Sequence, residues 1–423
     1  MNIGRKLLAA RSTAPLAGPG RGRLLDVLRE GRWITRERLL VWGAGLLLGS
    51  IIALARHAAL QTANGEPLGN DFINYFAAAK AAAAGHAHLA YNYAWFSRFE
   101  QTFTGPAQIS AIYSYPPIAI LLSLPLALLG FVPALIGWLA AGVAACFALL
   151  RRIVGSPAAV LAAIGAPSAF FNLYYGQNGC FTAALFAGGL MAIERRPIVA
   201  GICFGCLAYK PHFGLLIPFA LIAGRQWRSF AAAGITVLVL VLATLALFGT
   251  AAWAEFLAGT AIVRRILETE AGVWKFMPTV AAAALQLQMA PLAAYGLQLI
   301  SGIGAIVVTV AVWRGPTMPE VRFAVVAVAA FLATPYAWDY DTVLLIFAAA
   351  WLWRAGRRTG FLPWERLAIL ALLCLVPLSI AAVVLAGIPV APLVLWLVLV
   401  VLVRRAGIAG PRAANRDPLS LPR

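Results

Sequence analysis

The sequence predicts an all-α protein, a polytopic bundle of transmembrane helices. Three observations predict it. Of 423 residues, 62% are hydrophobic and only 11% charged, whereas soluble domains carry about 25% charged residues. Apolar runs approaching the roughly 17–25 residues that cross a hydrocarbon core recur along the chain. The cations stand beside those runs, as topology signals and contacts to anionic lipid do. Inside a bilayer each run must satisfy its backbone hydrogen bonds within itself, so the runs read as helices.

The net charge of +18 does not point to nucleic acid, because no soluble segment is large enough to present a reading surface. Membrane lipids are the expected partners of the cations. Residues 1–38, rich in Arg, Gly and Pro, read as a disordered basic cytoplasmic tail. The first apolar run, near Leu39, lies too far behind that tail for a cleavable signal peptide and is expected to stay as an anchor. Residues 39–405 then form the transmembrane domain, and 406–423 a second disordered cytoplasmic tail.

Apolar windows near 39–60, 112–129, 132–150, 156–172, 180–194, 197–223, 229–249, 291–313, 321–335, 341–354, 364–386 and 388–404 give about twelve membrane segments. The windows at 180–194 and 341–354 are short enough to be half-helices around a cavity. With the N-terminus inside and strict alternation, Arg225–Arg228, Arg354–Arg358 and Arg404–Arg405 fall in the cytoplasm, as the positive-inside rule requires. Arg151–Arg152 and Glu194–Arg196 fall outside, so the topology of 150–196 stays open between a re-entrant pair and a miscounted helix.

Under this alternation the first extracytoplasmic loop (61–111), a second (250–290) and the turn "TPYAWDYD" (334–341) share one face. The first loop contains two expected interfacial helices, near 72–85 and 90–103, with Phe72, Tyr75, Phe76, Tyr91, Trp95, Phe96 and Phe99 suited to a membrane–water boundary. The second contains the amphipathic stretch 253–270, with Arg264 and Arg265 on its polar side.

Candidate site residues lie where polar groups interrupt this pattern. Asp71 follows Asn70 at the start of an Ala-rich helical run that carries Tyr75 one turn on. Two roles suit it, a helix N-cap and a general base facing a cavity, and they are compatible. Tyr113 reads as an aromatic-belt residue; Tyr115, before Pro116–Pro117, is a candidate substrate contact. In "NLYYGQNGCF" (172–181), Gln177 and Asn178 form a plain turn unless their flanking segments are re-entrant, in which case the amides face substrate. Lys210 and His212 bracket Pro211 inside an apolar window. An ionisable residue at that depth is a functional candidate with an anionic phosphate as its partner, or else it snorkels to headgroups. Trp338, Asp339 and Asp341 stand at a helix start, where capping explains one acid and substrate hydroxyls or a metal a second. Cys203 and Cys206 read as packing residues in a helix, and the His86–His88 pair has no companion ligands. No metal site and no cofactor is expected, and no Walker loop or nucleophile elbow occurs.

Taken together, "GNDFINYFAAAKAAAAG", "YSYPPIAILLSLPLALL", "YYGQN", "YKPHFGLLIPFALIAGRQWR" and "TPYAWDYDTVLL" resemble glycosyltransferase family 87 over residues 39–355, in the expected order. The resemblance implies a GT-C-like fold and transfer, with inversion, of a hexose, expected to be mannose, from a polyprenyl-phosphate carrier to a lipid or glycan acceptor. It implies Asp71 as general base and Lys210 near the carrier phosphate, on the extracytoplasmic face of the bacterial inner membrane. Histidines that many relatives carry after the Trp of the last motif are replaced here by the run Trp338–Asp341, so their role does not carry over. The leaving phosphate gains negative charge, which preorganised cations stabilise; Lys210, His212, Arg264 and Arg265 are the candidates. Two other readings compete. A transporter or flippase would use Lys210 and His212 near the midplane, and a polysaccharide polymerase or ligase would need a diphosphate-linked donor.

Overall fold

The computed structural model describes residues 21–64, 69, 71–105 and 112–412, and every regular element among them is helical. Helices α1 (Arg21–Glu30) and α2 (Arg36–Asn64) open the chain. Part of the stretch expected to be an irregular tail is therefore helical, and it is tied down: the Trp364 N–H donates to Arg29 O at 2.6 Å and Arg366 reaches the carbonyls of Arg32 and Ile34. Residues 1–20 lie outside the described residues. So do 413–423, and the second expected tail is helical as far as Arg412.

The Ala-rich helix α3 (Phe72–Ala83), expected to lie on a membrane surface, is packed inside the protein. Nine of its twelve residues are buried, because its six alanines let neighbouring backbones close over most sides of it. Lys80, which would otherwise need water, donates to Ala127 O at 2.8 Å. Helix α4 (Tyr93–Thr104), capped by Asn92 on the Trp95 N–H, buries only Phe96 and Glu100 and keeps an exposed face.

The window 112–129 forms α5 (Pro117–Ser123) and a short 3-10 turn through Leu128. Twelve residues at about 1.5 Å each reach only about 18 Å, short of a hydrocarbon core of about 30 Å. This short segment packs on α3. Helix α6 (Phe131–Val154) begins beside α3, with Phe131 5.5 Å from Phe72, and ends at Arg151–Arg152. There Arg354 donates to Arg152 O at 3.0 Å, so these arginines share a face with the Arg354–Arg358 tract. Arg151–Arg152 thus lie beside the Arg354–Arg358 tract, which strict alternation puts on the other side.

Beyond α6, α7 (Pro157–Ile164) and α8 (Pro167–Tyr175) are bent by 63° and return the chain to Asp71, whose N–H donates to Tyr175 O. Helix α9 (Gly179–Ala192) leads away again to Glu194–Arg196. A Cβ on Gly179 would lie 2.2 Å from Tyr340 O, so only glycine lets α9 start there. Helix α10 (Pro197–Cys206) packs on α13 (Trp227–Thr269) through Gly201 and Gly205, where added Cβ atoms would lie 2.4 Å from the Ala232 and Thr236 side chains. Small residues four apart permit this approach where apolar burial drives nothing. Arg196 and Arg228 line one cavity, which puts these two ends side by side.

Between them lie α11 (Pro211–Gly214) and α12 (Ile217–Ala223). Gly249, at φ 74°, kinks α13 and separates its membrane half from the amphipathic half that begins the expected second loop. That loop continues as α14 (Ala271–Trp274) and α15 (Val280–Gln286). Helices α16 (Pro291–Arg314), α17 (Pro319–Ala333), α18 (Val343–Thr359), α19 (Glu365–Leu373), α20 (Leu375–Ala386) and α21 (Ala391–Arg412) complete the bundle. Helix α17 is apolar almost all round and buried accordingly. Among the described residues four helices (α2, α6, α13 and α16) are long and apolar enough to cross a membrane, or six spans if the bent pairs α7–α8 and α19–α20 each count as one.

Candidate active site

Five chain segments meet at the end of the bundle opposite these arginines: the start of α3, the loop before α5, the α8–α9 turn, the α10–α11 break, and the 3-10 turn Asp339–Thr342. Asp71 occupies the N-cap position of α3, but its side chain makes no capping bond. The carboxylate instead accepts from Gln177 Nε2 at 2.8 Å. Gly176 makes this approach possible: its φ is +72° and an added Cβ would lie 2.7 Å from Phe72 Cβ.

From Gln177 a polar chain runs inward. Tyr75 donates to Gln177 Oε1 at 2.5 Å, Asn178 Nδ2 donates to the Tyr75 hydroxyl at 2.9 Å, and Lys210 Nζ donates to Asn178 Oδ1 at 3.1 Å. Lys210 also pairs with Asp341. The two ends fix the orientation of both amides, because an ammonium only donates and a carboxylate only accepts. Every bond therefore points the same way, from the cation toward Asp71. The Tyr115 hydroxyl, 2.7 Å from that of Tyr75, branches off this chain.

Lys210 does not snorkel. It is 1% exposed, at the end opposite the arginine tracts, with its counter-charge supplied by Asp341 and its ammonium 4.9 Å from the Tyr340 ring centroid. Breaking the helix at Pro211 leaves Lys210 as the residue between two helical pieces, which is how the side chain reaches Asn178 and Asp341. Asp341 Oδ2 accepts from the Trp338 N–H at 3.0 Å, so it caps the turn and pairs with Lys210 at once.

Asp71 is densely surrounded yet keeps some accessible surface. Burial pushes its carboxyl above the usual range, and the bond from Gln177 opposes that rise. The Tyr75 hydroxyl, held well above its ordinary value by burial, stays protonated. Asp339 is pushed up to about 7 by burial, with the Tyr340 N–H pulling down and the carboxylates of Asp341 and Asp71 pushing further up. Its Oδ1 accepts from Tyr340 N, its Oδ2 has no partner, and it faces a small cleft with Lys275 and Ser379.

The remaining candidates are peripheral. The His212 ring lies 5.4 Å from that of Tyr336, and Trp338 stacks against Tyr340. Arg264 lines a cavity of about 260 Å³ together with Tyr336, and its side chain is largely exposed, 3.7 Å from Glu268. Arg265 is exposed and lies outside that cavity. Asn70 lies outside the described residues. Tyr209 went unnoticed in the sequence: its hydroxyl sits 2.5 Å from that of Thr182 and donates to Asn178 O. The signal for it was its place beside Lys210. Among the described residues no three His, Cys, Asp or Glu side chains come together as metal ligands.

An apolar helical bundle that keeps a half-buried acid and a buried lysine in one polar network defines, as a class, an integral membrane protein with a chemically equipped site at one end. The sequence profile of glycosyltransferase family 87 matches residues 113–335, just over half of the chain. The chain belongs to glycosyltransferase family 87, and it is a membrane glycosyltransferase. The matched range includes Tyr115, Gln177, Asn178, Lys210 and His212; Asp71 and the Trp338–Asp341 run lie outside it. No curated protein and no solved structure matched the chain.

Proposed function

We propose that the protein transfers a hexose, mannose being the expected one, from a polyprenyl-phosphate carrier to a hydroxyl of a lipid or glycan acceptor with inversion. In this reading the acceptor oxygen attacks the anomeric carbon, its proton passes to Asp71, and the bond from the anomeric carbon to the phosphate oxygen breaks. The bonding pair leaves with the carrier phosphate. One displacement inverts the centre, and one base suffices because the phosphate needs no separate acid to depart.

The observation that carries this reading is the half-buried Asp71 whose carboxylate ends a one-directional hydrogen-bond chain from Lys210. That chain holds the acid in place. Because Asp341 already neutralises the buried Lys210, the lysine orients Asn178 and the chain beyond it rather than meeting the phosphate itself. Direct contact with the phosphate falls to His212 and Arg264 at the rim, with Tyr115, Tyr75 and Trp338 toward the sugar. In this reading the arginine-rich opposite end lies in the cytoplasm, as the positive-inside rule favours, and the site lies on the extracytoplasmic face of the inner membrane.

Asp71→Asn keeps an acceptor for Gln177 and removes the base. Purified protein incubated with labelled polyprenyl-phosphate mannose and an acceptor extract is expected to release polyprenyl phosphate, and the variant to lose about 10²–10⁴-fold of that rate. Wild-type turnover in a folded Asp71→Asn protein removes the base assignment. A carrier moved across the bilayer without release of phosphate supports a transporter instead.

A further inference from the structure

At the end of the bundle opposite the site, two cavities join. One, of about 620 Å³, is an apolar groove between α2 and helices α7, α18 and α19, lined by residues such as Leu39, Leu46, Ala162, Ala349 and Leu370. The other, of about 600 Å³, is lined by Arg36, Arg354, Arg357 and Arg358 with Ser156 and Trp353. Arg36, Val154 and Trp353 line both, so the groove opens directly onto the arginines. Helix α2 carries exposed apolar side chains along its length, which places the groove at hydrocarbon depth and the arginines at a membrane surface.

Among the described residues the charge there is not cancelled internally. Arg354 and Arg358 share the single carboxylate of Glu320, at 3.2 and 2.7 Å. Glu37 is the other acid that feels the cluster, through Arg36 and Arg357. Four guanidinium groups thus face two carboxylates, and all four side chains are exposed. Guanidinium forks suit phosphate oxygens, and basic pockets between membrane helices on the cytoplasmic side hold lipid headgroups.

We propose that this composite cavity binds one anionic diacyl phospholipid of the leaflet opposite the active site, its phosphate on Arg36 and Arg357 and one acyl chain in the groove beneath. The occupant must be amphipathic, since a soluble anion leaves the groove empty and a neutral lipid leaves the excess of arginine charge over Glu320 and Glu37 uncompensated. Arg36 and Arg357 carry the phosphate because Glu320 already occupies the other two. The bound lipid would tie α2 to the cytoplasmic ends of α6 and α18, far from the chemistry.

The full chain in nanodiscs is tested by native mass spectrometry, with phosphatidylglycerol, phosphatidylcholine of the same chains, and polyprenyl phosphate as three separate probes. The expected result is one retained phosphatidylglycerol, with an affinity about 30-fold lower in Arg36→Gln/Arg357→Gln, and no change in phosphatidylcholine adducts. Leu46→Trp, which fills the groove from an exposed helix position, is expected to weaken phosphatidylglycerol retention with all four arginines intact. Equal retention of the neutral lipid, equal retention by the double variant, or preferential capture of polyprenyl phosphate there overturns the assignment.

Discussion

Lys210→Met removes the cation from a pair that has no access to water: Lys210 and Asp341 side chains are both 0% exposed. What remains is an ionised or freshly protonated Asp341 held by one backbone bond from Trp338, an Asn178 Oδ1 without its donor, and a Tyr340 ring without its cation. Breaking a buried pair from one side costs about 3–5 kcal/mol, and the orphaned amide oxygen about 1 kcal/mol more. Lys210→Met/Asp341→Asn leaves no buried charge, and is expected to recover most of that loss. The assay is denaturant or thermal unfolding of detergent-solubilised protein, read by tryptophan fluorescence. A coupling of about 2 kcal/mol or more between the two sites is the expected outcome. Strictly additive losses refute the argument, because they mean that the lysine and the acid do not depend on each other.

Two other predictions concern acids near the membrane surface. Since burial raises the Asp71 carboxyl, the acid limb of the transfer rate against pH is expected above the ordinary carboxylate range, with activity rising as the group ionises; a limb at the value of a free aspartate contradicts the burial argument. Asp339 titrates near 7 in the folded protein against 3.8 unfolded, so the unfolded chain binds fewer protons between those values and stability falls as pH rises through them. Asp339→Asn is expected to remove that slope and to gain at most about 4 kcal/mol at pH 8, measured by unfolding at pH 5 and pH 8.

Much of this was legible in the sequence. Runs such as Phe131–Val154 and Pro291–Arg314 announce themselves by length and apolarity, and the break at Pro211 marks Lys210. Hydropathy could not separate a crossing from the short excursion at Pro117–Leu128, since both are apolar and only a neighbour such as α3 distinguishes them. The same limit hid the burial of α3: a first turn of aromatics followed by a run of alanines suits a membrane surface and a packed interior equally. The partner of Lys210 lay 131 positions away, beyond any local pattern, so a phosphate was the natural expectation for a cation without visible company. Asp71 was found because acids are rare here, but its bond to Gln177 depends on the bend between α7 and α8 bringing residue 177 back.

That separation between Lys210 and Asp341 has a bearing on biogenesis. Membrane insertion proceeds from the N-terminus, so the lysine enters the bilayer well before the ribosome has made the residue that balances it. Until α18 emerges, the nascent bundle carries an unmatched ammonium, and a chain stopped short of Asp341 keeps it permanently. Joining the late helices to the early ones is what makes the lysine tolerable, and the same event completes the site.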